Sequence, residues 1–216
     1  MVALSLVRSL SSLQEEQKYT DEILLETVGL SFARGSISEI SGGASTGKTS
    51  LSLAVLARLT HDGEICAVID AAGSFDPCTA SQAGVELANL LWIKCGGNIE
   101  KAFMSADYLV QAKGFGCVWL NLSGLSDREL LMVPKTYWYR YRTRIKETPT
   151  ILLVTAAEPA TGSASQQSFV FTRECTEWSG NGRFKLLREF HLKMHSRKGY
   201  YGEPFRTKIE MDYSDV

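Results

Sequence analysis

The chain has 216 residues, 44% of them apolar and 22% charged, enough to bury one substantial core and too apolar for a disordered segment. Its 23 basic and 24 acidic side chains leave a net charge of −1, which excludes a global electrostatic pull toward nucleic acid and leaves that role to local clusters. Five cysteines, Cys66, Cys78, Cys95, Cys117 and Cys175, are an odd number without a CxxC pair, so buried reduced thiols are expected rather than disulfides or zinc.

At the start, MVALSLVRSL lacks the long apolar core of a signal peptide, and no run of 18 apolar residues occurs in the chain; a soluble cytoplasmic protein is expected, with no membrane partner. Leu4, Val7, Leu10 and Leu13 recur every three residues and predict an amphipathic helix over residues 4 to 17. Its apolar face can pack on its own domain, or meet a protein partner or a neighbouring subunit, so oligomerisation is open.

Residues 36 to 53 then change character. Ile37, Glu39 and Ile40 read as a strand, Gly42 to Thr49 reads GGASTGKT, and Leu51, Val55 and Leu59 follow at helical spacing. GGASTGKT matches GxxxxGK[ST], the phosphate-binding loop. Small residues, here Gly42, Gly43, Ala44, Ser45, Thr46 and Gly47, let backbone N–H groups curl round a phosphate at the positive end of a helix dipole. Lys48 would reach the β- and γ-phosphates, and the Thr49 hydroxyl, followed by Ser50, would ligate Mg²⁺. Nucleotide binding is the expectation. Hydrolysis is a separate question.

Downstream, Ile65–Asp70 is a buried parallel strand by its apolar run, residues 79–88 suit a helix, and Leu90–Lys94 suits another strand. Ile99, Phe103, Ala106 and Val110 give a helical period before the strands Cys117–Leu122 and Thr150–Thr155, with Asp127 placed to cap a helix between them. From residue 168 the segments SFVFTR, Arg183–Lys193 and Phe205–Met211 are separated by turn residues and predict an antiparallel meander. The expected fold is α/β: a mostly parallel twisted sheet flanked by helices and finished by that meander. Residues 1–29 are read as an N-terminal helix and lead-in, and 30–216 as a single nucleotide-binding domain.

The order of parts resembles the RecA core. GSISEISGGASTGKTSL is similar to that family's strand and phosphate loop, AVIDAAGSFDP to its next strand and acidic turn, and GVELANLL to the segment after it. FDP combined with GVELANLLWIKCGG, GFGCVWLNL and TPTILLVTA most resembles the ImuA-type RecA homologues. That resemblance implies a RecA-like P-loop core that takes ATP and Mg²⁺. It further implies an accessory role in bacterial SOS mutagenesis and translesion synthesis, beside an error-prone polymerase, an ImuB-type protein and RecA itself.

Departures from the pattern bear on activity. Where the RecA pattern has a water-activating glutamate stands Ala72, and where it has the Mg²⁺-site aspartate stands Asn121. Glu158 stands where a glutamine senses the γ-phosphate. Asp70 is the alternative carboxylate for the metal, or else a strand-end acid satisfied by backbone groups. Losing a positioned base costs about 10²- to 10⁴-fold in rate, so binding with weak or no hydrolysis is expected. An active DNA-dependent ATPase or recombinase, and a structural module with a relic loop, are the alternatives.

The two DNA-holding loops of RecA correspond to a short Asn121–Glu158 span and to Pro159–Gln167, which has no basic residue. DNA contact would then fall to two clusters. KTYWYRYRTRIK (Lys135–Lys146) offers Arg140, Arg142 and Arg144 among aromatics, although Trp138, Tyr141 and Ile145 share one helical face and suit a core. The second, Arg183–Lys208, offers Arg183, Lys185, Lys193, Arg197 and Lys198 to nucleic acid, an acidic partner or solvent.

Overall fold

The computed structural model describes residues 22–26, 28–180, 186–199 and 205–210. The predicted helix over residues 4–17 lies outside them, as do Arg183 and Lys185. The elements are a hairpin, β1 (Glu22–Leu25) and β2 (Leu30–Ala33), then β3 (Ser36–Gly42), α1 (Lys48–His61), β4 (Cys66–Asp70), α2 (Pro77–Gln82), β5 (Leu90–Lys94), α3 (Ile99–Gln111) and β6 (Cys117–Asn121). They continue with α4 (Asp127–Leu131), α5 (Thr136–Ile145), β7 (Ile151–Ala156), β8 (Gln167–Ser179), β9 (Leu186–Lys198) and β10 (Phe205–Glu210).

The main sheet runs β10-β9-β8-β3-β7-β6-β4-β5. From β8 to β5 every neighbouring pair is parallel, while β8, β9 and β10 form the antiparallel meander expected from the turn chemistry. β3, β4, β6 and β7 are buried along their whole length, which is why β4, β6 and β7 read as apolar runs, while β3 (SISEISG) buries three serines and Glu39 along with its two isoleucines.

Alternate residues of these strands feed two cores. On one face Ile40, Val68 and Trp119 pack with Leu51, Val55 and Leu59 of α1; on the other Ile37, Ile69 and Val118 pack with Phe103 of α3 and with Trp138, Tyr141 and Ile145 of α5. The aromatic stripe predicted for α5 is thus in the core, its rings set edge-on or stacked against Phe103.

The hairpin β1–β2 buries Ile23, Leu25, Leu30 and Phe32 in the first core, on both sides of residues 29 and 30. Two local readings change. The helix read over 79–88 stops at Gln82, because Gly84 turns left-handed at φ 88° and only a short 3-10 turn, Leu87–Asn89, follows. Before α4 the cap is Ser126, in a reciprocal capping box with Glu129, and Asp127 is the first helical residue.

Candidate functional site

β3 delivers the glycine loop to the carboxyl edge of the sheet, at its centre. Gly42 closes the strand with φ 147°, and a Cβ there would stand 2.2 Å from the Phe171 carbonyl oxygen of β8 and 3.1 Å from Thr46 Oγ1. Only glycine fits. Ser45 at φ 55° and Gly47 at φ 83° turn the chain back into α1. Gly43, Ala44 and Ser45 form the exposed rim, Thr46 is buried, and Thr49 and Ser50 are exposed at the helix start.

α1 has neither a side-chain cap nor an acidic residue in its first turn, whereas Asp76, Asn98 and Ser126 cap α2, α3 and α4. Its first N–H groups are therefore left to the loop mouth, where an anion can take them. Lys48 folds back over the same mouth. Its Nζ donates to the Gly42 and Gly43 carbonyl oxygens, the second at 2.5 Å, and to Thr46 Oγ1 at 3.4 Å. Burial disfavours the charged form and lowers its pKa from the ordinary 10.5. An uncapped helix, an ammonium held only by neutral oxygens, and an exposed Thr49 hydroxyl make a donor set that fits a polyphosphate with its cation.

The neighbouring acids are engaged elsewhere. Asp70 is fully buried, and its carboxylate accepts N–H bonds from Gly73, Ser74 and Phe75 at 2.9 to 3.0 Å. Of its two readings, the geometry matches the strand-end acid that orders the following turn. Asn121 lies beside Asp70 in register. Its Oδ1 accepts from the Thr155 hydroxyl and the Ser123 N–H, and its Nδ2 donates to Ser74 Oγ at 2.9 Å. Ala72 sits exposed in the turn, so near Gly124 that a Cβ there would be 3.1 Å from its own. Among the described residues no three His, Cys, Asp or Glu side chains gather as a metal-ion cage.

The sequence reading missed the function of Glu39. This residue is 1% exposed in the middle of β3. Its carboxylate accepts the N–H groups of Ala160 and Thr161 at 2.7 and 2.8 Å and the Ser168 hydroxyl at 2.8 Å. The signal was present: one acid in a strand buried on both faces requires donors, and the nearest supply is the segment after the neighbouring strand.

That segment, 157–166, is pinned from three sides. Besides Glu39, Arg142 donates to the Ser163 carbonyl at 3.3 Å, Lys198 donates to the Ser163 and Ser165 carbonyls, and Tyr139 Oη bonds Ser163 Oγ at 2.6 Å. Glu158 is exposed and lines a groove of about 450 Å³ with Leu130, Leu131, Trp138 and Pro159.

The basic candidates do not form one surface. Arg140 and Arg144 both pair with Asp107 of α3, the first at 3.1 Å, and Lys193 faces Glu174 at 3.8 Å. Arg142 turns to the other side of α5, toward Lys198, and Arg197 is exposed beside the latter.

Comparison with known proteins follows the same core. Residues 17–123 match the family model of the RecA N-terminal domain, from ahead of the first hairpin to just past β6. Protein RecA of Borrelia hermsii is 39% identical over 93 residues, 43% of this chain and 26% of that protein. Protein RecA of Borreliella afzelii is 36% identical over 97 residues, 44% of this chain and 26% of that protein. The Borreliella burgdorferi protein is 38% identical over 93 residues, 43% and 25% of the two chains. The chain thus spans about a quarter of the length of the curated relatives it matches. From the phosphate loop through the strand that carries Asn121, the chain is similar to the RecA N-terminal domain.

Proposed function

We propose that this protein binds ATP·Mg²⁺ at Gly42–Ser50 and hydrolyses it slowly or not at all, serving as a nucleotide-responsive accessory factor in bacterial DNA repair. The observation that carries the proposal is the mouth of the loop, where the uncapped start of α1 and the Lys48 ammonium converge with no carboxylate paired to Lys48 among the described residues. Lys48 would exchange the Gly42 and Gly43 carbonyls for the oxygens of a triphosphate, and the Thr49 hydroxyl would be the ligand for its cation.

Slow turnover follows from the surrounding acids. Asp70 and Glu39 are engaged with backbone N–H groups, Asn121 is a neutral amide held at both ends, and Ala72 has no base to offer. Without a base, nucleotide binding works as a conformational signal rather than as a fuel. Residues 22 onward act as one nucleotide-binding unit, the β1–β2 hairpin included.

The finer assignment, an ImuA-type role in SOS mutagenesis and translesion synthesis beside RecA, an ImuB-type protein and an error-prone polymerase, rests on the sequence resemblance. A role through protein contacts agrees with the pinned 157–166 segment, which is not free to wrap a strand of DNA, and with Leu131 and Met132, 85% and 78% exposed. Calorimetric titration of ATP·Mg²⁺ into wild type and Lys48→Ala, with phosphate release followed with and without single-stranded DNA, tests the reading. Binding lost in the variant, with negligible release from wild type, is expected. Robust DNA-stimulated release would restore an active ATPase, and no binding at all would leave a module with a relic loop.

A further inference from the structure

The two basic clusters of the sequence meet at one place, far from the phosphate loop. A cavity of about 230 Å³ opens between the amino-terminal end of β3, the last turn of α5 and the end of β9. Its charged lining is Arg142, Lys146 and Lys198, with no carboxylate among the lining residues. On the same helix Arg140 and Arg144 are neutralised by Asp107, but none of these three cations has an ion-pair partner among the described residues.

Arg142 and Lys198 converge further: both donate to one acceptor, the Ser163 carbonyl oxygen. Two like charges share that neutral oxygen, Lys198 donating also to the Ser165 carbonyl, and with a third at the same cavity they repel one another unless an anion joins them. The hydroxyls nearby are already committed, Ser36 to the Ala33 carbonyl and Ser165 to the Gly162 carbonyl, so recognition here is by cations. Three cations without an acid suit a group bearing two or more negative charges on several oxygens.

We propose that this cavity is a second anion site, taking a phosphate or pyrophosphate group. β3 separates it from the phosphate loop by seven residues, about 23 Å at the strand rise of about 3.3 Å per residue, too far for one triphosphate to fill both sites. The group comes either from a free phosphorylated molecule or from a nucleic-acid backbone, and the two sources share this chemistry. Because Arg142 and Lys198 also hold the 157–166 segment, an occupant competes with the Ser163 carbonyl for both and loosens that segment.

The test uses the Lys48→Ala protein, so that the phosphate loop contributes nothing to the readout. Sodium pyrophosphate and, separately, a short thymidine oligonucleotide are titrated calorimetrically into that protein and into the same protein carrying Lys146→Ala. The Lys146 side chain is exposed and makes no ion pair with a described residue, so its truncation is expected to leave the fold intact, which thermal unfolding verifies. The expected result is saturable binding of at least one probe, weakened about tenfold by Lys146→Ala, the order of losing one charge-assisted hydrogen bond. Pyrophosphate binding identifies a free ligand, and binding of the oligonucleotide alone identifies a nucleic-acid phosphate. No binding of either probe, or binding that Lys146→Ala leaves unchanged, overturns the proposal.

Discussion

Leu192 of β9 lies against Gly47 of the phosphate loop, so closely that a Cβ on the glycine would stand 2.9 Å from Leu192 Cδ1. The meander is therefore part of the wall behind the phosphate loop, although 145 positions of sequence separate the two. Gly47→Ala meets both this contact and a left-handed backbone at φ 83°. A non-glycine residue pays roughly 1–2 kcal/mol there. Denaturant unfolding should register that loss, and ATP titration a fall in affinity of at least about tenfold, because the loop must open to accommodate the change.

Lys48 gives a pH signature. Its pKa is lowered from 10.5 by burial, so in alkaline solution the folded protein gives up this proton before the unfolded chain does, and stability rises with pH between the lowered value and 10.5. Phosphate binding needs the ammonium and raises the value again. ATP affinity therefore falls as pH rises through the lowered value, and within that window binding takes up a proton. Calorimetry in two buffers of different ionisation enthalpy reads the uptake directly; equal heats in both buffers across the alkaline range would contradict it.

Glu39 joins the phosphate-loop strand to the 157–166 segment. Glu39→Ala removes the acceptor of two backbone N–H groups and one hydroxyl in a site 1% exposed, and should cost about 2–4 kcal/mol in urea unfolding. Glu39→Gln should cost less, because the amide oxygen still accepts from Ala160 and Thr161 and its NH₂ can donate to Ser168 Oγ. Limited proteolysis is expected to cut within 157–166 faster in the alanine variant than in the glutamine variant.

Ala72 tests the account of slow hydrolysis. The position is exposed and can carry a longer side chain toward the solvent side of the loop. Ala72→Glu supplies a carboxylate in the turn that otherwise has no free one, and should raise phosphate release by up to about 10²-fold. Release unchanged by this substitution, with ATP still bound, would show that the missing base is not what limits turnover.

Burial of the sheet thiols is a further check. Desolvation pushes Cys66 up to about 12 and Cys117 also well above the ordinary range, while Cys78 and Cys175 are exposed. At neutral pH a thiol reagent should label Cys78 and Cys175 rapidly in the native protein and reach Cys66 and Cys117 only on unfolding.

Much of this was legible in the sequence because it is local. GGASTGKT declares the loop by residue size and spacing, the apolar runs ICAVID and TILLVT declare buried parallel strands, and Trp138, Tyr141 and Ile145 declare the core face of α5. What escaped depends on partners distant in the chain. Asp70 reads equally well as a metal ligand or a turn acid until the N–H groups of Gly73, Ser74 and Phe75 are placed round it. Glu39 and Ala160 are 121 residues apart, and no spacing links them. The β1–β2 hairpin is four residues a side, and its alternation in Glu22–Leu25 is too brief to stand out from a lead-in.

β8 pairs with β3 only over Gln167–Phe171, and from Thr172 to Ser179 it runs on with β9 alone as its described neighbour on the ladder. Eight residues at about 3.3 Å each carry this ladder roughly 26 Å past the last residue paired with β3. Its root is the Phe171 carbonyl against Gly42 and the Leu192 side chain against Gly47. The same stretch of β8 and β9 that carries the long ladder out to Trp178 thus closes the space beside the two glycines that shape the loop.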